Sequence, residues 1–448
     1  MPTLMVSVSG IRGLVGDGLD PNTIIKYASA YAEFCGKGKI VIGSDGRISG
    51  GMVKQVLIGT LLAKGNDIVD IGVCPTPTVL YNVTKLNAVG GIQISASHNP
   101  NEWNALKLLN SEGEFMTPEE NKIMLEKLDD ADKCFKKWNE LGKLTEYSEG
   151  LKNHSKDVLE LIDVNLIKSK KFKVVVDCVN GAGSFIMPEF LKELGCEVIK
   201  LNCEKTGIFP RLPEPIPENL TETMKFVKDN NADLAVVVDP DVDRLVLITD
   251  KGEPFVEENT ITLAANHILS KKQGNVVVNL STTRAIDDVA KQFNSKVFRS
   301  PVGEANVVKL MKEVNAVIGG EGSGGVIYPE LHYGRDALVG TVLTLEHLAQ
   351  ENKKLSEIKD ELPHYEIVKK KIKLGNTNPD EVVKKLTEKY STEKINTDDG
   401  LRIDFEDHWV HFRKSNTEPI IRCIAEAASI EKAENYIEKY FADVKELM

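Results

Sequence analysis

The feature that most constrains how this chain folds is a threefold recurrence. Three stretches share one order of elements: a short β-branched strand, a helical segment, a second strand, and a further apolar strand opening into a polar loop. The first starts at residues 39–47 (KIVIGSDGR) and reaches its second strand at 66–73. The second starts at 173–184 (KVVVDCVNGAGS) with its partner at 196–202, and the third at 275–283 (NVVVNLSTT) with its partner at 295–303. β-Branched runs alternating with helical segments predict parallel sheets covered by helices on both faces. The closing strands then diverge, as AVGGIQISASHNP (88–100), ADLAVVVDPDVDR (232–244) and AVIGGEGSGG (316–325). Sites in open α/β sheets lie beyond the carboxyl ends of strands, so each unit offers one candidate loop in an equivalent place.

Composition sets the frame around these units. At 448 residues the chain exceeds what one core organises, and breaks in rhythm predict four domains. Charged, helix-like sequence from 117 to about 152 closes the first unit, and the boundaries fall at 1–152, 153–251, 252–364 and 365–448. The last segment opens on the lysine-rich KKKIKL. It continues through DGLRIDFEDHWVHFRKS (399–415), which alternates as an antiparallel hairpin does, to a helix over about 430–441. The expected fold is α/β: three similar α/β domains with mixed, mostly parallel sheets plus a C-terminal α+β domain, arranged around a central cleft. A net charge of −11 disfavours a nucleic-acid binder. No window approaches the roughly 18 apolar residues of a membrane span, and the N-terminus has no signal-peptide pattern. Seven cysteines without a CxxC pair predict reduced thiols and a cytoplasmic protein.

The loops carry the chemistry. Ser97 lies where the apolar run 92–94 opens into a turn, and Pro100 keeps Asn99 out of helical geometry. Asp239, Asp241 and Asp243 alternate just after a buried strand, and carboxylates so spaced converge on a small hard cation. A calcium loop of EF-hand type would want glycine where Arg244 stands and helices on both sides. A haloacid-dehalogenase motif would want DxDxT, and an acidic surface turn is the bland alternative. Glycines around Glu321 and Ser323 let backbone approach a ligand that a carboxylate and a hydroxyl can hold. Arg413, Ser415, Asn416, Thr417 and Arg422 have the composition of a phosphate cradle. Asp45, Arg47 and the NGAGS turn at 180–184 read as structural.

Together these motifs resemble the alpha-D-phosphohexomutases, which interconvert sugar 1-phosphates and 6-phosphates. SASHNP with Asn104 and Lys107 is similar to the family's phosphoserine loop, DPDVDR to its DGDADR metal loop, and GEGSGG to its GExSGH sugar loop. RKSNTEP is similar to its phosphate loop and SGIRG (9–13) to its opening active-site motif. The resemblance implies that phospho-Ser97 is the phosphoryl carrier, with His98, Lys107 and Arg12 around it. It implies magnesium on Asp239, Asp241, Asp243 and phosphorylated Ser97, and a sugar 1,6-bisphosphate as intermediate and activator. It places Arg244, Gly303 (within SPVGEAN), Glu321, Ser323, Arg413, Ser415, Asn416, Thr417 and Arg422 on the substrate. Burial among arginines is expected to lower the Lys107 pKa toward neutrality. Gly325 stands where the family usually has a proposed acid/base histidine, and His332 of the same loop is the candidate to replace it. SNTEP, common among phosphomannomutase/phosphoglucomutase members, favours mannose and glucose phosphates over glucosamine phosphate. A magnesium-dependent sugar-phosphate phosphatase and a non-catalytic sugar-phosphate sensor are the readings of other classes. The expected partners are small sugar phosphates, with no nucleic acid or membrane, in a monomer or homodimer.

Overall fold

The β-branched runs form strands, and they do so three times in one arrangement. The structure is a computed structural model that describes residues 3–8, 10–375, 377–414 and 420–448. In the second unit Glu197–Leu201, Lys173–Asp177 and Leu234–Val238 lie parallel in that spatial order, and Leu245–Thr249 closes the edge antiparallel. The third unit repeats this with Val297–Ser300, Asn275–Asn279, Ala316–Glu321 and Gly325–Ile327. The first unit does the same with Asp67–Val73, Lys39–Ser44, Gly90–Ile94 and Trp103–Leu109. The central strands are buried on both faces, which is why they read as unbroken apolar runs rather than alternating ones. In each unit the strand leading to the functional loop lies next to the antiparallel strand, which is the sheet edge in the second and third units.

The first sheet is wider than its repeat. Gly10–Val15 pairs antiparallel with Trp103–Leu109, which carries Arg12 to the sheet's cleft side, and Leu144–Glu146 adds in parallel beyond Asp67–Val73. That strand corrects the expected helical stretch from 117 to 152. The segment holds a helix only at Pro118–Leu125, fixed by a Thr117/Glu120 capping box, a 3₁₀ turn at Ala131–Lys133, the strand, and the start of helix Gly150–Leu159. The chain at Gly142 runs so close to Asn66 that a Cβ there would lie 1.8 Å from its carbonyl oxygen, and this approach feeds the next residues onto the sheet edge.

The last unit is a five-stranded antiparallel sheet, ordered Glu366–Lys373, Ile420–Ala427, Trp409–Lys414, Leu401–Asp404, Lys394–Asn396. KKKIKL is therefore edge strand. The final helix runs Ile430–Leu447, past the expected end, because Ala433, Ile437, Tyr440 and Val444 keep one apolar face on the sheet. The second and third units share one continuous core, from Val176 and Val236 through Leu245 to Leu263 and Leu338. The last unit docks on the third through Arg284, whose guanidinium donates to the carbonyls of Phe405, Glu406 and His408. These packings turn the ends of the three loop-bearing strands toward one central cleft, with the last sheet as its fourth wall. Among the described residues no helix is long and apolar enough to cross a membrane.

Candidate active site

The serine loop is held rigid from beneath. Strand Gly90–Ile94 ends at Ser95, whose hydroxyl donates to Asp45 Oδ2 at 2.7 Å and accepts the Ser97 backbone N–H at 2.9 Å. The buried Arg47 donates from Nε to Asp45 at 2.9 Å, and its two terminal nitrogens reach the carbonyls of Ser97, Asn99, Pro100 and Trp103 at 2.5–3.2 Å. So braced, Ser97 adopts the left-handed φ of +50° that a non-glycine residue avoids unless its surroundings compel it. Asp45 and Arg47 thus anchor the loop. The Ser97 hydroxyl donates to Asp239 Oδ2 at 2.9 Å, and His98 Nδ1 lies 3.5 Å from it. Burial, reinforced by Arg244 and Arg12, depresses His98 to about 3, which keeps its imidazole neutral. Arg12 reaches Asn99 Oδ1 at 2.6 Å.

Beneath the serine, the metal-loop turn is tied by its first aspartate. Asp239 Oδ1 accepts the backbone N–H groups of Asp243 and Arg244 at 3.2 Å, while Val242 takes a positive φ of +61°. Asp241 is fixed from the first unit by the hydroxyl and backbone of Thr76. One oxygen from each of Asp239, Asp241 and Asp243 lies within 4.8 Å of the others, all fully buried. Asp241 Oδ1 and Asp243 Oδ1 have no hydrogen-bond partner. Two orphaned carboxylate oxygens in a buried acidic triad fit a hard divalent cation, because such oxygens are costly to leave unpaired. Burial, together with Asp243 and Asp241, pushes Asp239 well up. Asp243 also feels burial, but Arg335, Lys107 and Arg244 outweigh it and hold it low.

Lys107 departs from expectation. Its buried ammonium lies 2.6 Å from Asp241 and 3.3 Å from Asp243. Burial alone would lower its pKa, but these carboxylates more than compensate and raise it. The aspartates, not the arginines, are its immediate neighbours.

In the sugar loop, Glu321 ends strand Ala316–Glu321 and is held by three donors: Asn279 Nδ2 at 2.9 Å, the Gly303 N–H at 3.0 Å and Arg335 at 2.7 Å. Gly303 provides that N–H at φ +121°, a geometry that favours glycine. His332 does not enter the cleft. Its Nε2 meets Asp336 Oδ2 at 3.0 Å, beside His154 at 2.8 Å from the same oxygen, in a buried cluster behind the loop. In the last unit, Arg413 and Arg422 are direct cross-strand partners. Arg413 also meets Asp399 Oδ2 at 2.9 Å, and an anion between the two guanidinium groups relieves the repulsion that remains. Ser415, Asn416 and Thr417 lie outside the described residues, as does Ser9.

One cavity of about 550 Å³ joins these parts: Arg12, Ser97, His98, Lys107, Arg244, Gly303, Glu321, Ser323, Arg413 and Arg422 all line it. The three aspartates lie buried behind its wall, in contact with the lining residues Ser97 and Lys107. Sequence reasoning missed Arg335, which binds Glu304, Glu321 and Asp243 at once, and the Lys369–Glu258 pair that crosses from the last unit to the third at 2.6 Å. Burial pushes Glu304 and Glu258 up to about 7. The YGRD sequence around Arg335 and the lysines of KKKIKL carry no recognisable spacing; only the lack of a side chain at Gly325 signalled a difference nearby.

Comparison with known proteins agrees with this geometry along the whole chain. Residues 4–133, 146–252 and 257–365 match the Phosphoglucomutase/phosphomannomutase alpha/beta/alpha domains I, II and III, and residues 367–443 match the C-terminal domain. A Phosphoglucomutase/phosphomannomutase of Thermococcus kodakarensis is 40% identical over 444 residues, covering 96% of each chain. A protein of Methanopyrus kandleri named Probable phosphoglucosamine mutase is 36% identical over 431 residues, covering 95% of this chain and 94% of its own. The crystal structure of a Phosphoglucomutase/phosphomannomutase family protein from Burkholderia thailandensis superposes with a TM-score of 0.84 at 25% identity, covering 99% of this chain and 98% of its own. With residues of four successive units lining one cavity, the chain belongs to the alpha-D-phosphohexomutase family and is an isomerase that acts on hexose phosphates.

Proposed function

We propose that Ser97 carries a phosphoryl group, gives it to the free hydroxyl of a bound hexose monophosphate, and takes back the phosphate at the sugar's other end. The observation that carries this reading is the Ser97 hydroxyl at the cavity wall, 2.9 Å from Asp239 in the buried carboxylate triad. Each of four domains, taken as 1–152, 153–251, 252–364 and 365–448, supplies one loop. Asp239, Asp241 and Asp243 would hold magnesium, with the phosphate on Ser97 as a further ligand. Magnesium supplies charge neutralisation and polarisation of the phosphorus.

The chain's own residues do the rest. In the first transfer the bond from phosphorus to the Ser97 oxygen breaks as that to the sugar oxygen forms. His98, neutral in the open site, is the acceptor for the hydroxyl proton once the negative reacting phosphate offsets Arg244 and Arg12 and restores its basicity, and Lys107, kept as an ammonium by its aspartates, is the donor to the departing serine oxygen. The return transfer reverses these roles. Arg12 and Arg244 neutralise the reacting phosphate. Arg413 and Arg422, with Ser415, Asn416 and Thr417, grip the other phosphate in either orientation, while Glu321, Ser323 and the Gly303 loop hold the ring hydroxyls. A sugar 1,6-bisphosphate is the activator that first phosphorylates Ser97. The enzyme is read as cytoplasmic, a monomer or homodimer, and its free cysteines accord with a reducing compartment.

Mannose and glucose phosphates are the proposed substrates, on the SNTEP loop and the 40% identity to the Thermococcus phosphoglucomutase/phosphomannomutase. Phosphorus NMR with magnesium and a trace of sugar 1,6-bisphosphate tests this, offering mannose, glucose, glucosamine and N-acetylglucosamine 1-phosphates separately. The expected result is a growing 6-phosphate signal from mannose and glucose that vanishes in Ser97→Ala. A signal from glucosamine alone overturns the sugar assignment, and accumulating inorganic phosphate overturns the mutase in favour of a phosphatase.

A further inference from the structure

Gly325 opens the strand Gly325–Ile327 directly opposite Glu321. Its φ is not in the left-handed region, so its backbone conformation does not require glycine. Space does. A Cβ at this position would lie 2.2 Å from Arg335 Cδ and 2.9 Å from Arg335 Cγ, both buried methylenes of a side chain fixed at its far end. Arg335 arrives from ten residues downstream, where the chain turns back and bridges Ile327, and its side chain crosses over Gly325 toward the cleft.

The far end of that side chain meets three carboxylates from three different segments. Nε donates to Glu304 at 2.9 Å, one terminal nitrogen to Glu321 at 2.7 Å, and the other to Asp243 at 2.7 Å. The Arg335 backbone N–H adds a second bond to Glu304 at 3.1 Å. One planar group therefore fixes the metal loop, the end of the sugar-loop strand and the start of helix Glu304–Glu313 relative to one another. Only the guanidinium fork presents donors in three such directions; a lysine ammonium at the same place is a point charge on a flexible stem.

We propose that Arg335 is the positioning residue that sets the sugar-holding carboxylate Glu321 against the metal-loop carboxylate Asp243, and that Gly325 is glycine to let it pass. The arrangement excludes an imidazole at 325, because arginine methylenes occupy that space, and proton transfer falls to groups on the serine side of the cavity. The kinetic part of this inference rests on the mutase reading; the steric part does not.

The test is a double-mutant cycle of Gly325→Ala and Arg335→Ala, read in melting temperature and in kcat/KM for the hexose 1-phosphate that turns over, with Arg335→Lys alongside. Gly325→Ala alone lowers the melting temperature and costs about 100-fold in kcat/KM, because the guanidinium is displaced by an ångström or more. In the Arg335→Ala background the same substitution costs less than about twofold and leaves the melting temperature where it was, since nothing remains to displace. Arg335→Lys keeps most of the melting temperature yet loses about 100-fold in kcat/KM, a split that a merely structural cation would not produce. Additive losses in the cycle, a harmless Gly325→Ala, or an Arg335→Lys as active as wild type would overturn the proposal. If wild-type protein turns over no sugar phosphate, the mutase reading fails, and the melting-temperature arm still decides whether Gly325 exists to admit Arg335.

Discussion

Replacing Arg47 with methionine tests how the serine loop is held. The side chains of Arg47 and Asp45 are 1% and 0% exposed, so their pairing is unscreened by solvent. Methionine fills similar space but removes the guanidinium's bonds to Asp45 and to the carbonyls of Ser97, Asn99, Pro100 and Trp103, leaving Asp45 only the Ser95 hydroxyl and the residue-47 backbone N–H. Breaking a buried pair by removing one partner costs about 3–5 kcal/mol. Burial already pushes the Asp45 carboxyl above its usual range with Arg47 beside it. Without Arg47 it takes up a proton, which holds the loss near the lower end of that range. For a cooperative unit of roughly 150 residues, about 3 kcal/mol lowers the melting temperature by about 10 °C. The sign of the pH effect follows. A carboxyl whose folded pKa lies above its unfolded value stabilises the fold below the unfolded value, and loses that contribution as pH rises through the folded one. The deficit of Arg47→Met relative to wild type is therefore expected to be larger in a melt at about pH 8 than in one at about pH 5, the sign following from the upward shift of Asp45. Arg47→Lys, which keeps a charge for Asp45 but cannot reach four carbonyls, falls between. Calorimetric melts at both pH values, with Ser97 phosphate uptake from sugar 1,6-bisphosphate followed by intact mass, provide the measurement. A melting temperature within about a degree of wild type, or a deficit that shrinks as pH rises, would show that Arg47 does not brace the loop.

Further outcomes follow from neighbouring parts of the structure. Ser97→Gly and Ser97→Ala both abolish turnover, but the glycine variant is more stable by about 1 kcal/mol in denaturant titration, because only alanine retains the strain of φ +50°. Burial depresses His411 from its ordinary value of 6.5 to about 4, where it accepts the Ser281 hydroxyl at 3.0 Å and donates to the Asp399 carbonyl at 2.7 Å. Its contribution is present above 6.5 and lost as pH falls toward 4, so His411→Gln flattens the acid loss of stability by about 1 kcal/mol per pH unit. Arg413→Ala raises the KM for hexose phosphate by about 10- to 100-fold, the worth of one charge-assisted contact, and inorganic phosphate competes less well against it. Magnesium raises the melting temperature of wild-type protein, chelation reverses the rise, and Asp241→Ala shows neither.

What was legible in the sequence and what was not divides by the range of the interactions concerned. Strands such as Leu234–Val238 announce themselves because burial on both faces writes an unbroken apolar run, and the loops follow because a strand end must turn polar. The strand Leu144–Glu146 left no such mark: it is three exposed residues on a sheet edge, and the pairing that creates it comes from Asp67–Val73. The charge state of Lys107 was equally hidden, since its neighbours Asp241 and Asp243 lie more than 130 positions away and nothing local reports them. Its burial was foreseeable; the sign of its shift depended on which charges were buried with it.

Gly325 stands between these cases. Its departure from the usual histidine was visible, and the natural search was for another imidazole in the same loop. The structure gives a different kind of answer. His332 turns away to Asp336, while an arginine three residues further on passes over the glycine and ends on three carboxylates. An absent side chain in a close-packed site leaves a volume that something must fill, since a void there forfeits contacts on every side. The filler need not share the chemistry of what it replaces. A glycine at a position that elsewhere carries a functional group is thus a statement about space, and the residue that uses the space is found by packing rather than by pattern.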